Sequence, residues 1–296
     1  MIDLEAIKAQ RGNKPVPPGT YEESLAAMEQ ALEEDAPPSP EHIKINNRLV
    51  AWEAYLGIAK VKSFPTQLHV GLNDVCNARC AFCQYAPERS TANMIKADDL
   101  RRAKWLKYVR SFFPNAGLSE PLIHPEIEEI FEIVRDNAPH INMHLTTNVS
   151  LVSDRLLPVL VSNLNLMIIS LNAARKETYE FLMPPLKWDR ILRNLERIQE
   201  EKARQGRAHP ELQAGYVLNK HNLDELPELP ALLKSIGFTG CRIIELKVPE
   251  PIKSRELLTK DDVASHDKAH ALKKFEEFES ECRIHNIRLT QPLPAF

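Results

Sequence analysis

Cys76, Cys80 and Cys83 stand at C-x3-C-x2-C spacing in the stretch LHVGLNDVCNARCAFCQY, residues 68–85. Three thiolates this close make a tight chelating loop, and soft sulfur donors suit an iron–sulfur cluster or zinc. A structural zinc site ordinarily closes its tetrahedron with a fourth cysteine or histidine, often from a second short-spaced pair. No such residue stands nearby, and the remaining cysteines, Cys241 and Cys282, are far away in the sequence. Three protein ligands on a four-iron cube leave one iron open to an exogenous ligand, which points to an enzyme. A non-enzymatic iron–sulfur or zinc scaffold is the alternative from a different class.

The elements that must position this loop follow from periodicity. From Thr66 onward, strand and helix patterns alternate. Strands are expected over residues 67–73, 115–119, 141–147, 164–171, 212–218 and 242–248, with a last short one at 287–289. Helices are expected over 97–112, in HPEIEEIFEIVRD, and over 153–161, 175–183, 187–205, 223–236 and 259–284. This order implies parallel βαβ units and an α/β fold. Before them, residues 1–64 form an N-terminal extension: a loose arm ending in KPVPPG, then two helices. Thr20 and Glu23 make a capping box for the first helix, and Ser39-Pro40 opens the second, over 41–60. Residues 65–296 form the α/β domain.

Apolar residues are 43% of the 296 and charged residues 27%, ordinary values for a soluble chain. A net charge of -3 implies no basic surface and disfavours a nucleic-acid substrate. No 18-residue apolar run and no N-terminal leader are visible, so no membrane association and a cytoplasmic location are expected. Five cysteines, three of them clustered, argue for metal ligation in a reducing compartment rather than a disulfide frame.

The stretch CNARCAFC resembles the signature of the radical S-adenosylmethionine (radical SAM) superfamily, with Phe82 as the usual aromatic before the third cysteine. The resemblance covers roughly residues 66–290 and is nearest to members that often carry a C-terminal SPASM or twitch extension, which is expected to be absent here. It implies a partial (β/α)6 TIM-like barrel, and the two N-terminal helices are expected to cover its floor. It also implies a [4Fe–4S] cluster held by Cys76, Cys80 and Cys83, with SAM chelating the fourth iron.

Further motifs follow in order. GLSEPLIHPEI at 117–127 resembles the glycine-rich SAM-binding motif, with Ser119 where a glycine is usual, and Glu120 is the acid expected to meet the methionyl ammonium. HLTTNVS at 144–150 resembles a strand ending in T-N-G with Val149 in place of the glycine, which makes Asn148 a cavity residue. In MIISLNAARKETYE, Ser170 and Asn172 match the family's S-L-D/N ending, which meets the SAM ribose or carboxylate; a strand-to-helix cap also fits. Leu218 and Asn219 end the strand expected to pack against adenine. Strand alternation then nominates substrate contacts. His69 is expected to face the barrel interior from the first strand. Glu245 and Lys247 are expected to do so from the sixth, on the same parity as Cys241.

The expected activity is reductive cleavage of SAM to a 5'-deoxyadenosyl radical that abstracts hydrogen from a small polar metabolite, such as a sugar, nucleoside or amino-acid derivative. A ribosomally made peptide is the alternative substrate. A flavodoxin- or ferredoxin-type protein is the expected electron donor.

Overall fold

The computed structural model describes residues 15–34, 36–83, 93–115, 119–248 and 258–294. The expected capping box opens helix α1 (Tyr21–Glu33): Thr20 N–H donates to Glu23 Oε2 at 2.9 Å and Glu23 N–H to Thr20 Oγ1 at 3.1 Å. Helix α2 (Pro40–Leu56) starts with proline in its first turn and ends on Gly57, whose φ of 73° is the left-handed conformation glycine adopts without strain. Strand β1 (Gln67–His69) is shorter than expected. Beyond it the chain bends away: Leu72 C=O accepts from Ile95 N–H at 3.0 Å, and Asn73 makes an antiparallel bridge with Met94.

The helix expected over 97–112 is broken into three pieces. Helix α3 (Ala97–Arg101) stops early, a 3-10 turn covers Lys104–Tyr108, and strand β2 (Ser111–Phe113) takes the end. The run Val109–Phe113 is rich in strand formers, and Arg110 and Ser111 N–H both reach Thr66 C=O, so pairing overrides the helical stripe. The second strand therefore lies upstream of the expected 115–119, of which residues 116–118 fall outside the described residues.

The remaining order is α4 (Ile127–Asn137), β3 (Asn142–Thr147), α5 (Leu156–Asn163), β4 (Leu166–Ser170), α6 (Lys176–Leu182), α7 (Trp188–Arg204), β5 (Glu211–Leu218), α8 (Leu229–Ser235), β6 (Gly240–Glu245), α9 (Lys268–His285) and β7 (Arg288–Leu289). Helices α8 and α9 begin later than their apolar periodicity suggests, because 3-10 turns precede them at Leu226–Glu228, Lys260–Asp262 and Ala264–Asp267. Before α9, Asp262 Oδ2 accepts from Thr259 N–H at 2.7 Å, and Asp267 Oδ1 then caps the helix by accepting from His270 N–H at 3.1 Å. The strands form one sheet in chain order, open rather than closed, with parallel pairing from β3 through β7. This is the α/β partial-barrel class, with the six expected strands and the expected short last one, β7.

The chain divides into two compact units. The first takes Met1–His69, Lys96–Phe112 and Glu129–Asn142. Its core joins Met28, Ala31, Leu49 and Tyr108, with Phe64 stacked on the Tyr108 ring at 5.0 Å. Asn46, fully buried, ties this core together through both ends of its carboxamide: Oδ1 accepts from Phe64 N–H at 2.8 Å, and Nδ2 donates to the carbonyls of Phe64 and Tyr108.

The second unit takes Val70–Ile95, Phe113–Glu128 and Met143–Phe296. Its strands alternate cleanly between two faces. Met143, Leu145, Met167, Ile169, Leu212, Ala214, Tyr216, Cys241 and Ile243 are buried on one face. Cys241 hydrogen-bonds Cys282 of α9, which identifies that face as the one the helices cover. Thr146, Ile168, Ser170, Val217, Arg242 and Ile244 have the opposite parity and keep partial exposure on the open face.

Candidate active site

The cysteine loop is held at both ends by hydrogen bonds to the main chain. At its start Asn73 Oδ1 accepts from Val75 N–H at 2.9 Å, while Asn73 Nδ2 donates to Glu120 C=O and Glu120 N–H to Val75 C=O. Between the cysteines, Arg79 N–H donates to Pro184 C=O at 2.6 Å and Ala81 N–H to Leu182 C=O at 2.8 Å. The loop is therefore clamped to the carboxyl end of α6. Leu258 N–H closes the far side on Ala81 C=O at 2.8 Å. Cys76 is exposed, Cys80, Phe82 and Cys83 are half-buried, and none of the three cysteines is in a disulfide.

Burial raises the thiols of Cys76 and Cys80 above their ordinary range. A bound metal must displace those protons, so metal uptake falls as pH drops. Among the described residues, no three histidine, cysteine or carboxylate side chains converge as the ligands of one ion would. A four-iron cube gives each thiolate its own iron. Three thiols in one clamped loop fit that donor set.

Glu120 is buried at 2% exposure, and its carboxylate is already engaged by the chain. Oε1 accepts from Thr147 Oγ1 at 2.6 Å and Leu122 N–H at 3.2 Å, and Oε2 accepts from Asn148 N–H at 2.8 Å. Burial nonetheless pushes its ionisation above the usual carboxylate range. The carboxylate thus fastens the turn after β2 to the carboxyl end of β3. Asn148 extends the same network: its Nδ2 donates to Asn77 Oδ1 at 3.0 Å, and Asn77 Nδ2 donates to Ser150 Oγ at 2.8 Å. Asn77 is the residue after the first cysteine, so the end of β3 positions the chelating loop. Val149, between the two, has φ 52°, an uncommon conformation for a β-branched residue. Where the resemblance expects glycine, valine therefore takes a left-handed conformation at the cost of backbone strain.

Ser170 ends β4 on the open face, half-buried. Asn172 is buried, and its Oδ1 accepts from Val217 N–H at 2.7 Å while Nδ2 reaches Met183 Sδ. It extends the β4–β5 ladder where the strand has run out of backbone partners, the cap reading that the S-L-N-A-A turn also allowed. Leu218 points to the helix-covered face. Asn219 sits in a turn, with its Oδ1 accepting from His221 N–H and its Nδ2 donating to Val217 C=O. Asn222 locks this turn by donating to the carbonyls of Asn172 and Val217, both at 2.9 Å.

The sixth strand differs from expectation in its parity. Cys241, Ile243 and Glu245 turn toward the helices, and Glu245 Oε1 accepts from Ser265 N–H at 3.0 Å just before α9. The inward set is Arg242 and Ile244, because Cys241 packs on Cys282 and fixes the register. Lys247 is exposed beyond the strand, and His69 is exposed at the end of β1. Pairing places Ser170 opposite Gly215 and Gly215 opposite Arg242, one row across the open face. A Cβ on Gly215 would stand 3.3 Å from Ile168 Cγ2, so glycine keeps the floor of this row low. Arg242 Nε is buried with no hydrogen-bond partner among the described residues, and burial lowers the basicity of the guanidinium.

Sequence reasoning did not single out Asn77, Asn222 or Arg242 for the site. An asparagine between two ligands and an arginine at the head of an apolar strand were the available signals. Only strand parity could give the second its meaning.

Residues 71–232 match the model of the Radical SAM superfamily. That match covers more than half of the chain, and the chain belongs to this superfamily of enzymes, which use a [4Fe–4S] cluster and SAM. Membership sets aside the non-enzymatic scaffold. The chain is 26% identical over 138 residues to "Molybdenum cofactor biosynthesis protein 1" of Dictyostelium discoideum, covering 44% of this chain and 21% of that protein. It is 29% identical over 121 residues to "GTP 3',8-cyclase" of Microcystis aeruginosa, covering 38% and 36%. It thus matches well under half the length of these relatives. Among solved structures it is similar to Streptococcus suis SuiB bound to S-adenosylmethionine, with a TM-score of 0.63, 17% identity, and coverage of 92% of this chain and 60% of that one. That likeness shows the fold. No helix among the described residues is long and apolar enough to cross a membrane.

Proposed function

We propose that Cys76, Cys80 and Cys83 hold the cluster and that the open face beside them binds a small anionic metabolite from which hydrogen is abstracted. When bound, the reduced cluster and SAM supply the 5'-deoxyadenosyl radical. The chain's own residues position the parts. The α6 clamp and the Asn77–Asn148 pair fix the chelating loop. Glu120 orders the turn around the methionyl end, and Ser170 offers a hydroxyl from the open face. Leu218 and Asn219 contribute backbone groups for the adenine. The reducing surroundings that such a cluster needs agree with a cytoplasmic enzyme served by a flavodoxin- or ferredoxin-type donor.

The observation that carries the substrate class is Arg242. A buried guanidinium N–H without an acceptor is costly, and a carboxylate or phosphate is its natural partner. The row Ser170–Gly215–Arg242 gives that anion a hydroxyl, a low floor and a cation. Relatives named for GTP cyclisation support a phosphorylated metabolite within this class. A ribosomally made peptide is the second reading, favoured by likeness to SuiB, which has also been solved with its precursor peptide SuiA.

The test is stimulation of 5'-deoxyadenosine formation. The reconstituted protein, SAM and dithionite are offered nucleotides, sugar phosphates, amino acids or peptides. An anionic metabolite should stimulate, and Arg242→Met should abolish the effect while leaving unstimulated SAM cleavage in place. Stimulation by peptides alone would favour the second reading.

A further inference from the structure

Ser39 and His42 close the amino end of α2 on each other. A capping box ordinarily puts glutamate or glutamine at the third helical position, and here His42 takes that place. Ser39 N–H donates to His42 Nδ1 at 3.2 Å, and Ser39 Oγ lies 3.0 Å from the same atom. A backbone N–H can only donate, so Nδ1 accepts and the ring carries its hydrogen on Nε2. The ring is buried edge-on against Tyr108, with centroids 5.2 Å apart. Lys107, also buried, donates from Nζ to Ala36 C=O at 2.9 Å, which fixes a cation on the α1–α2 connection. His140 Nε2 donates to Lys107 C=O at 2.9 Å. Among the described residues, Lys107 and His140 from other elements and Glu41 from α2 itself are the charged or titratable groups that bear on the ring. One turn further along, Asn46 anchors the same helix to Phe64 and Tyr108.

We propose that His42 is an acid-sensitive latch, which holds the first turn of α2 to Ser39 when neutral and releases it when a proton occupies Nδ1. That proton takes the lone pair on which Ser39 N–H rests, so two donors face each other and the cap is lost. Ser39 C=O stands 3.3 Å from the same atom, so protonation turns Nδ1 from acceptor to donor within one residue. The new charge is also buried beside the fixed Lys107 cation. Burial first, and then Lys107, lower the basicity of the ring, so the folded chain binds this proton less tightly than the unfolded one. The latch is therefore closed above about pH 6.5, the unfolded value, and opens as pH falls through the lowered folded value. Fraying should stop at Asn46, whose carboxamide does not titrate.

The test is hydrogen exchange of the full chain at about pH 7.5 and about pH 5, corrected for the chemical exchange rate and read on peptides spanning residues 36–46. Protection there should fall about tenfold at the lower pH, the scale of one lost helix cap, while β3 to β6 keep theirs. His42→Gln keeps an acceptor at the capping-box position and takes up no proton, so its protection should be the same at both. His140→Gln should behave as wild type. In nitrogen NMR spectra of the histidine rings, His42 Nδ1 should be bare at about pH 7.5 and gain its proton over the range in which protection is lost. Wild-type protection that does not change, a fall spread over the whole chain, or an equal fall in His42→Gln overturns the inference. So does a fall abolished by His140→Gln, or a ring whose Nδ1 already carries the hydrogen near neutrality. A His42→Gln chain that fails to fold near neutrality overturns it as well, because the ring would then be packing rather than a titrating acceptor.

Discussion

Replacing Arg242 with methionine should make the protein more stable while removing its response to an anionic substrate. Methionine keeps most of the aliphatic stem that lies along the open face beside Ile244 and deletes the guanidinium. Among the described residues there is no compensating loss, because Nε has no acceptor there and burial is the cause that lowers its basicity. One orphaned buried N–H costs about 1–3 kcal/mol, and relief should fall within that range. The partial exposure of the residue lets the guanidinium tip reach water, which places the expected gain near the lower end. For a chain of this size, each kcal/mol moves Tm by roughly 2 °C, so a rise of about 2–4 °C is expected. The assay is thermal melting of both metal-free proteins in the same buffer, followed by melting with candidate anions. An anion that binds the wild type should raise its Tm and leave the variant unmoved. A variant that melts lower than wild type would refute the reasoning, because Arg242 would then be part of the fold's own bonding.

Asn77→Ala breaks the link between the chelating loop and the end of β3, leaving Asn148 Nδ2 without its partner. It should cost about 1–2 kcal/mol and lower the iron bound per chain, as measured by melting and colorimetric iron assay. Glu225 is buried in the turn before α8, and burial pushes its ionisation up to about 7. Its folded form holds a proton more tightly than the unfolded chain. The associated stability is therefore complete below about pH 4, the unfolded carboxylate value, and is lost as pH rises through about 7. Glu225→Gln should flatten this pH dependence by on the order of 2 kcal/mol, seen in denaturant midpoints between pH 5 and about 8. A wild-type profile as flat as that of the variant would refute the assignment. Thr147→Val removes the shortest bond to the Glu120 carboxylate. It should destabilise by about 1–3 kcal/mol and raise the Glu120 ionisation further, read by infrared titration of the carboxylate.

The chelating loop was readable because its chemistry is local: three cysteines in eight residues need no tertiary context. The capping box at Thr20 and the alternation from β3 to β6 were readable for the same reason, since each is written in adjacent residues. The break after Arg101 was not, because Val109–Phe113 satisfies a helical stripe as well as a strand until Thr66 offers its carbonyl. Strand parity in β6 was misread for a related reason. Both faces of CRIIELKV carry apolar residues, and only the Cys241–Cys282 contact decides which one meets the helices. Glu245 and Arg242 exchange roles with that single step, because side chains alternate with a period of two. Asn172 and Asn219 show the limit of a motif: their positions match a ligand-binding strand end, but the Asn172 side chain joins the end of β4 to β5 and the Asn219 side chain shapes the turn after β5.

The most direct measurement is SAM cleavage by the anaerobically reconstituted protein with dithionite, followed by mass spectrometry, for wild type and Cys80→Ala. The account predicts 5'-deoxyadenosine and methionine from wild type and neither from the variant, which should also lose the cluster's visible absorbance. Wild-type protein that holds its cluster without cleaving SAM, or a Cys80→Ala variant that cleaves as well as wild type, would contradict it.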